Sequence, residues 1–262
     1  MKLSNHFLTL IVPVYKQEKT IVKNLKSLKK VLEKIRYHYE IIVVIDGLVD
    51  KSFERVKKSK LKRIKLLAYE KNHGKSYAIR FGMSIAKGDY IMFIDSGMEI
   101  DPNGISMLLE HMEWYNADII VGSKRHLASQ VHYPLSRKIL SHGYYLFVKM
   151  LFGLKIHDTQ AGIKVFRKNV LARVLPRLVE KKFAGDLEIL VVSYEQGFDR
   201  IYEAPIKLDY TISPITSAAT IQSILGILID TCAIFYRMHV LNYYRRIHRR
   251  LTYPKNVKIV TL

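Results

Sequence analysis

Carboxylates at the ends of apolar runs are the first chemistry visible in the chain. Asp95 follows Tyr90-Ile-Met-Phe-Ile94 and precedes Ser96-Gly97, with Glu99 and Asp101 just beyond. Asp46 ends a second apolar run and is followed by Gly47 and then Asp50. A third run ends in Pro13-Val-Tyr15-Lys-Gln-Glu18. In open α/β sheets ligands bind outside the carboxyl ends of the strands, where an acid can hold a metal and a phosphate. The same acid can instead cap a turn or the next helix. Three acid-bearing turns at one sheet edge point beyond capping, to a nucleotide and metal site.

The elements that would place them there follow from hydrophobic period. Residues 8–14, 40–45, 63–68, 90–94 and 119–121 read as strands. Residues 18–36 carry Ile21, Leu25, Leu28, Val31, Leu32 and Ile35, an amphipathic helix of period 3.6. Helices are also expected over 51–58, over 75–86 and from Pro102 through Trp114, with proline at or near the favoured first position. Such alternation implies an α/β chain whose mainly parallel sheet is flanked by helices. The second half is less regular. A helix over 136–153, a loop around Asp158-Thr-Gln160-Ala-Gly162, a short strand at 164–166, a helix over 186–196 and a strand at 200–205 are expected. After Pro214 a long helix runs to about His248. Residues 1–212 are therefore expected to form the main domain, and residues 213–262 a helical basic tail.

Composition bounds the partners. The chain has 262 residues, 49% of them hydrophobic, enough for a core. The net charge of +20 predicts an anionic partner. A single cysteine, Cys232, excludes a disulfide framework and a thiolate zinc site. No uninterrupted apolar stretch reaches the length of about 18 residues expected of a membrane span; the nearest, 221–239, is broken by Gln222, Asp230 and Arg237. The tail leads from apolar residues into Tyr243-Tyr-Arg-Arg-Ile-His-Arg-Arg250, a pattern suited to an anionic bilayer surface. The other reading is a helix packed on the core with a solvated basic end. Gly74-Lys75-Ser76 is not a Walker A loop, because Tyr69 stands where its first glycine would be. The basic run 57–63 lacks aromatic neighbours for base stacking, so no nucleic-acid partner is expected.

The ordered motifs resemble one family. Ile11-Val-Pro-Val-Tyr-Lys-Gln-Glu18, Val43-Val-Ile-Asp46-Gly-Leu-Val-Asp50, Asn72-His-Gly74-Lys75, Gly122-Ser123-Lys-Arg125 and Asp158-Thr-Gln160-Ala-Gly162-Ile-Lys-Val-Phe166-Arg167 follow one another over roughly residues 8–208. In order and spacing the series resembles the inverting GT-A fold glycosyltransferases of the polyprenyl-phosphate (dolichyl-phosphate) mannose and glucose synthase type.

The resemblance implies a Rossmann-like GT-A domain. It implies a nucleoside-diphosphate hexose as donor, a polyprenyl or dolichyl phosphate as acceptor, and Mg2+ or Mn2+ as cofactor. Pro13, Tyr15, Glu18, Asp46, Gly47, Lys75, Asp95 and Ser96 then face the nucleotide sugar. Asp95 and Gln160 face the metal. Arg125, Arg137 and Ser141 face the acceptor phosphate. Asp186 and Glu188, after Phe183-Ala-Gly185, resemble an acidic pair near the acceptor, with Asp186 the acceptor-side acid; the alternative is helix N-terminal acids favoured by the macrodipole. With Asp95 and Arg125, Asp186 completes the candidate catalytic set. The helix after Arg137 either lies along the lipid chain or is an ordinary buried helix. The expected setting is peripheral, on the cytoplasmic face of a membrane, and a membrane-embedded partner protein is compatible with it. Two departures stand out. Ile45 replaces the first of two aspartates, and Gly97 replaces the second carboxylate of an Asp-x-Asp. Magnesium needs only one or two carboxylates beside substrate phosphates, so Asp95 and Gln160 could suffice on that count, with Glu99 or Asp101 as further candidate ligands; the alternative is weak metal binding. The alternatives are a weakened GT-A scaffold acting as a binding protein, and transfer to another lipid or glycan.

Overall fold

The computed structural model describes residues 4–131, 135–208, 221–246, 254 and 256–262, without the side chains of 135–138 and 221–222. The expected boundary at 212/213, the start of the tail at Pro214, its end near His248 and the side chain of Arg137 lie outside what is described.

Eight strands form one sheet in the order β7-β5-β6-β4-β1-β2-β3-β8. In chain order they are β1 (Phe7–Val14), β2 (His38–Asp46), β3 (Ile64–Tyr69), β4 (Tyr90–Ile94), β5 (Ile119–Ser123), β6 (Ile163–Arg167), β7 (Ile201–Pro205) and β8 (Lys258–Thr261). The helices between them are α1 (Ile21–Leu32), α2 (Ser52–Lys58), α3 (Lys75–Ser84), α4 (Gly104–Trp114), α5 (Leu135–Phe152), α6 (Lys168–Val174), α7 (Gly185–Glu195) and α8 (Ile221–Phe235). β1 pairs in parallel with β2 and β4, β2 with β3, and β5 with β7. β6 runs antiparallel between β4 and β5, and β8 antiparallel along β3. The sheet is mixed and mainly parallel, as expected.

Both faces are covered, which is why the central strands read as unbroken apolar runs. Leu8, Leu10, Val12, Ile41, Val43 and Ile45 point to one face, where α1, α2 and α4 pack. Ile11, Ile42 and Val44 point to the other, with α3, α6 and α7. The period of two thus splits each strand between two cores.

The antiparallel β6 matters most for function. Ile94, at the end of β4, pairs with Ile163, at the start of β6. The loop before β6 therefore arrives at the edge where β1, β2, β4 and β5 end. Tyr15, Asp46, Asp95, the 158–162 loop and Arg125 meet there although they are far apart in sequence.

Several elements differ from expectation. α1 starts at Ile21 rather than at residue 18, because the Glu18 amide is committed to Asp50 at 3.0 Å. α4 starts two residues after Pro102, since Asp101 accepts from the Asn103 amide at 2.9 Å and holds a turn. α6 and β8 were not anticipated. The long tail helix is interrupted. α8 is followed by a wide helical turn, Tyr236–Val240, and Asn242 then takes φ 49°, a left-handed conformation that asparagine tolerates. Contrary to expectation, Ser223–Val240 is long and apolar enough by composition to cross a membrane, with mean hydropathy 1.4 and 17% of the window buried.

The segment after α8 is pinned to the core. The Tyr244 hydroxyl donates to Glu188 on α7 at 2.7 Å, and the Tyr244 carbonyl accepts from Arg177 at 2.9 Å. Glu188 is fully buried and also takes the amides of Val179 and Glu180. Burial pushes its carboxyl up, against these donors. Tyr244→Phe deletes one donor from a buried acid. It is expected to lower stability by about 1–3 kcal/mol in denaturant unfolding, and an unchanged midpoint would refute this anchor.

Candidate active site

The edge is organised around a chain of charges. Asp95 follows the last residue of β4, and its amide donates to the Gly162 carbonyl at 2.9 Å. Its carboxylate contacts the Lys75 ammonium at 2.8 Å, and Lys75 reaches Asp186 at 3.2 Å. The second oxygen of Asp186 meets Lys164 at 3.0 Å, and Lys164 also donates to the Ala161 carbonyl at 2.8 Å. Asp186 and Lys164 are buried; Asp95 is not, its side chain being 43% exposed. The order Asp95–Lys75–Asp186–Lys164 therefore runs from solvent to core.

The electrostatics follow from burial and alternation. Burial alone would raise the Asp186 carboxyl, but Lys164 and Lys75 outweigh it and hold it below the usual range. Burial pushes Lys164 down, against the pull of Asp186. Burial opposes the charge on Lys75 as well, yet Asp186 and Asp95 keep it above its ordinary value. Both oxygens of Asp186 are occupied, so it faces lysines rather than open space. It acts as the fixed anion that aims Lys75 at Asp95.

Local backbone geometry makes this possible. A Cβ on residue 162 would lie 2.2 Å from Asp95 Oδ2, so a side chain there would displace the Asp95 carboxylate. Gly74, with φ 104°, starts α3 and presents Lys75 as its first helical residue. Asn24 on α1 donates to the Ser96 carbonyl at 2.7 Å, fixing the turn after Asp95; the Ser96 side chain is buried.

The expected nucleotide end divides in two. Asp46 is buried, and its carboxylate takes the Tyr69 hydroxyl at 2.8 Å, the Asn72 amide group at 2.8 Å and the backbone amides of His73 and Gly74 at 2.8 and 2.9 Å. It thereby holds the turn leading to Lys75. Gly47 is pressed against the Asn72 backbone. Glu18 accepts the Lys51 amide at 3.0 Å while Asp50 accepts that of Glu18, which locks two neighbouring turns together. Pro13 is buried in β1. Tyr15 is the half-exposed aromatic at this edge, with Lys16 over its ring at 5.2 Å.

Two of the expected acceptor residues, Arg125 and Ser141, also meet. Arg125 donates to Ser141 Oγ at 2.9 Å and to His142 Nδ1 at 3.1 Å, both on α5. Its guanidinium lies 5.6 Å from the centre of the Tyr145 ring, and Lys149 lies 5.8 Å from the same ring. Among the described residues no carboxylate pairs with Arg125, and its Nε is buried without a partner. His142, Tyr145 and Lys164 lie among these groups although sequence reasoning assigned none of them to the site. The first two share a helix face with Ser141 and Lys149; Lys164 showed only as a charge inside a short apolar strand.

The donor set for a cation is small. Among the described residues no group of three or more His, Cys, Asp or Glu side chains converges. Asp95 offers a half-exposed carboxylate. Gln160 spends its amide nitrogen on the Tyr144 hydroxyl at 3.3 Å, leaving its carbonyl oxygen. One carboxylate and one amide oxygen fit a magnesium or manganese ion that also takes phosphate oxygens and waters. They do not make a cage that would hold the ion alone.

Comparison with known proteins places the chain in a family. Residues 9–175 match the sequence profile described as Glycosyl transferase family 2. The chain is similar to the dolichyl-phosphate beta-glucosyltransferase of Dictyostelium discoideum, 29% identical over 206 residues, which cover 73% of this chain and 63% of that protein. It is 28% identical over 220 residues to the Homo sapiens protein of the same name, covering 78% and 67%. The chain thus spans about two thirds of the length of these relatives. In structure it resembles glucosyl-3-phosphoglycerate synthase from Mycobacterium tuberculosis, solved with Mn2+, uridine-diphosphate-glucose and phosphoglyceric acid. The TM-score is 0.65 at 13% identity, covering 88% of this chain and 79% of that one.

The charge chain sets a pH dependence. The folded-state pKa of Asp186 is depressed, so its contribution is present above the unfolded value of 3.8 and is lost as pH falls through the folded value. Asp186→Asn leaves Lys164 buried without its anion, at a cost of about 3–5 kcal/mol at neutral pH. The acid limb of the stability curve, followed by urea unfolding from pH 7 to pH 2, should be shallower in the variant. A parallel curve would remove Asp186 from the titration. The double variant Lys164→Met/Asp186→Leu, which deletes both buried charges, is expected to recover part of the loss.

Proposed function

Because the chain belongs to glycosyl transferase family 2, we propose that it moves a hexose from a nucleoside-diphosphate sugar to a polyprenyl or dolichyl phosphate, with inversion. The donor nucleoside is uridine or guanosine. The observation that carries the acceptor half is Arg125. It is a guanidinium held in place by Ser141 and His142, with no carboxylate partner among the described residues. Such a group is prepared for an anion from outside the chain, and the planar fork of arginine suits phosphate.

The surroundings favour a lipid phosphate. Ile139, Leu140, Leu146 and Met150 are exposed on α5, the helix that carries Ser141 and His142. Leu225, Ile229, Tyr236 and Val240 are exposed on α8 and the turn after it, beside α5. Two neighbouring helices with apolar outer faces, on a chain of net charge +20, suit the surface of an anionic bilayer. We place the protein at the cytoplasmic face. α8 lies along the surface rather than crossing it, because Thr231, Ile234 and Met238 are buried against the core.

The reaction needs little from a base. A phosphate monoester has a second pKa near 6, so the acceptor is largely dianionic at neutral pH. Its oxygen attacks the anomeric carbon from the face opposite the diphosphate; the carbon–oxygen bond to the diphosphate breaks and its electrons stay with the leaving group. One displacement inverts the centre. Arg125 holds the dianion in line and offsets its repulsion from the donor phosphates. Lys75, aimed by Asp186, offsets charge on the departing diphosphate, and Tyr15 lies at the nucleoside end. A magnesium or manganese ion, held by Asp95 and the Gln160 carbonyl together with the diphosphate, would supply Lewis-acid neutralisation there.

The test incubates purified protein with manganese or magnesium, a short polyprenyl phosphate and a panel of radiolabelled nucleotide sugars, counting label that enters the organic phase. Transfer from one donor is expected, and Asp95→Ala should abolish it. Arg125→Ala should reduce kcat/KM for the lipid phosphate by about 1.5–3 kcal/mol, roughly 10- to 150-fold, while leaving donor binding intact. No transfer from any donor would sink the proposal, in favour of another acceptor or of a binding scaffold in which Gly97 has cost the chemistry.

A further inference from the structure

α8 touches the core through a polar residue. Of its described side chains and those of the turn after it, only Thr231, Ile234 and Met238 are buried, and Thr231 is completely so. A valine would fill the same space. A hydroxyl buried without partners is costly, so its bonds are informative. Thr231 Oγ1 donates to the Ile227 carbonyl one turn back at 2.6 Å, and lies 3.1 Å from the Tyr144 hydroxyl of α5. The Tyr144 oxygen is in turn 3.3 Å from Gln160 Nε2.

Donor counting fixes the direction of this relay. A threonine hydroxyl has one proton, and that of Thr231 goes to Ile227. Thr231 must therefore accept from Tyr144. Tyr144, its own proton spent, can only accept from Gln160, which assigns the amide nitrogen of Gln160 to this bond. Burial pushes the Tyr144 hydroxyl up to about 12, so it keeps its proton at neutral pH. The Gln160 carbonyl oxygen has no partner among the described residues. It is the end left for the site, two residues before the glycine that touches Asp95.

We propose that Tyr144 is a positioning residue: anchored by Thr231 of α8, it fixes the orientation of the Gln160 amide, so that the seating of α8 is felt at the end of β4. This rests on the reading of Asp95 and Gln160 as the groups that face the cation and diphosphate. Without the relay the amide can turn over, presenting two N–H donors where a carbonyl is needed. The bilayer-facing helix and the sugar-transfer site are then linked through three side chains.

The test reads cation binding rather than turnover. Manganese is titrated into the wild type, Tyr144→Phe, Thr231→Val, Thr231→Ser and Gln160→Ala in the presence of UDP and, separately, GDP, following the free-ion signal by electron paramagnetic resonance. Nucleotide binding without metal is measured alongside. With the nucleotide that supports binding, Tyr144→Phe and Thr231→Val are expected to weaken manganese about tenfold, the lower end of what losing an outer partner of a metal ligand costs. Thr231→Ser, which keeps the hydroxyl, should bind as the wild type does, and metal-free nucleotide binding should be unchanged throughout. Wild-type manganese affinity in Tyr144→Phe and Thr231→Val overturns the relay alone and leaves the transferase reading standing. So does a loss in Thr231→Ser as large as that in Thr231→Val, which would be packing. Wild-type affinity in Gln160→Ala overturns the assignment of Gln160 and the relay with it. A wild-type protein that takes up no manganese with either nucleotide overturns the relay together with the cation reading on which it rests.

Discussion

The buried contact between Asp186 and Lys164 is the constraint on which the rest of the site depends. Each charge would be prohibitive alone in this core, and together they still repay only part of their desolvation. What they add is position. Asp186 lies at the start of α7 and Lys164 on β6, so their contact ties the helix to the strand beside β4. Asp186 has one oxygen left, which holds Lys75 at the start of α3. One buried anion thus sets the ammonium that meets Asp95, and three segments distant in sequence are brought to one point.

Much of this was legible because sheet chemistry is written locally. The period of two in β1 and β2, the helical period of α1, and acids at the ends of β2 and β4 needed only windows of a few residues. What escaped has no local signature. β8 is four residues long and acquires its identity by pairing Val260 with Leu66, far away in the chain. Tyr244 reads as part of a basic aromatic helix end, yet its role is set by Glu188, 56 residues earlier. Asp46 shows why residue type does not fix a role. It stands where a ligand-binding acid is expected, but four donors from its own chain already surround it.

The two halves of the site differ in how they treat charge. Around Asp95 and Asp186, lysines and carboxylates alternate, so the region is balanced before any substrate enters. Around Arg125 the partners are a hydroxyl, an imidazole and an aromatic face, and the cation is left uncompensated among the described residues. A balanced region can accept an anion if that anion brings its own countercharge. An uncompensated one can accept a bare dianion. This asymmetry matches a donor whose diphosphate arrives with a divalent ion and an acceptor whose phosphate arrives alone.

Gly97 fits the same reasoning. A second carboxylate after Asp95 would add negative charge to a region that Lys75 and Lys164 now neutralise, and would strengthen a cation site independent of substrate. With glycine there, open space surrounds the position, and among the described residues the proposed ion would find one carboxylate, itself shared with Lys75. The ion's remaining oxygens must come from the diphosphate and water. On the proposed reading, loss of the second acid would shift the order of events, with cation and nucleotide sugar entering as one unit. In such a site the orientation of a single amide, that of Gln160, has unusual weight, since no neighbouring carboxylate stands ready to replace its oxygen.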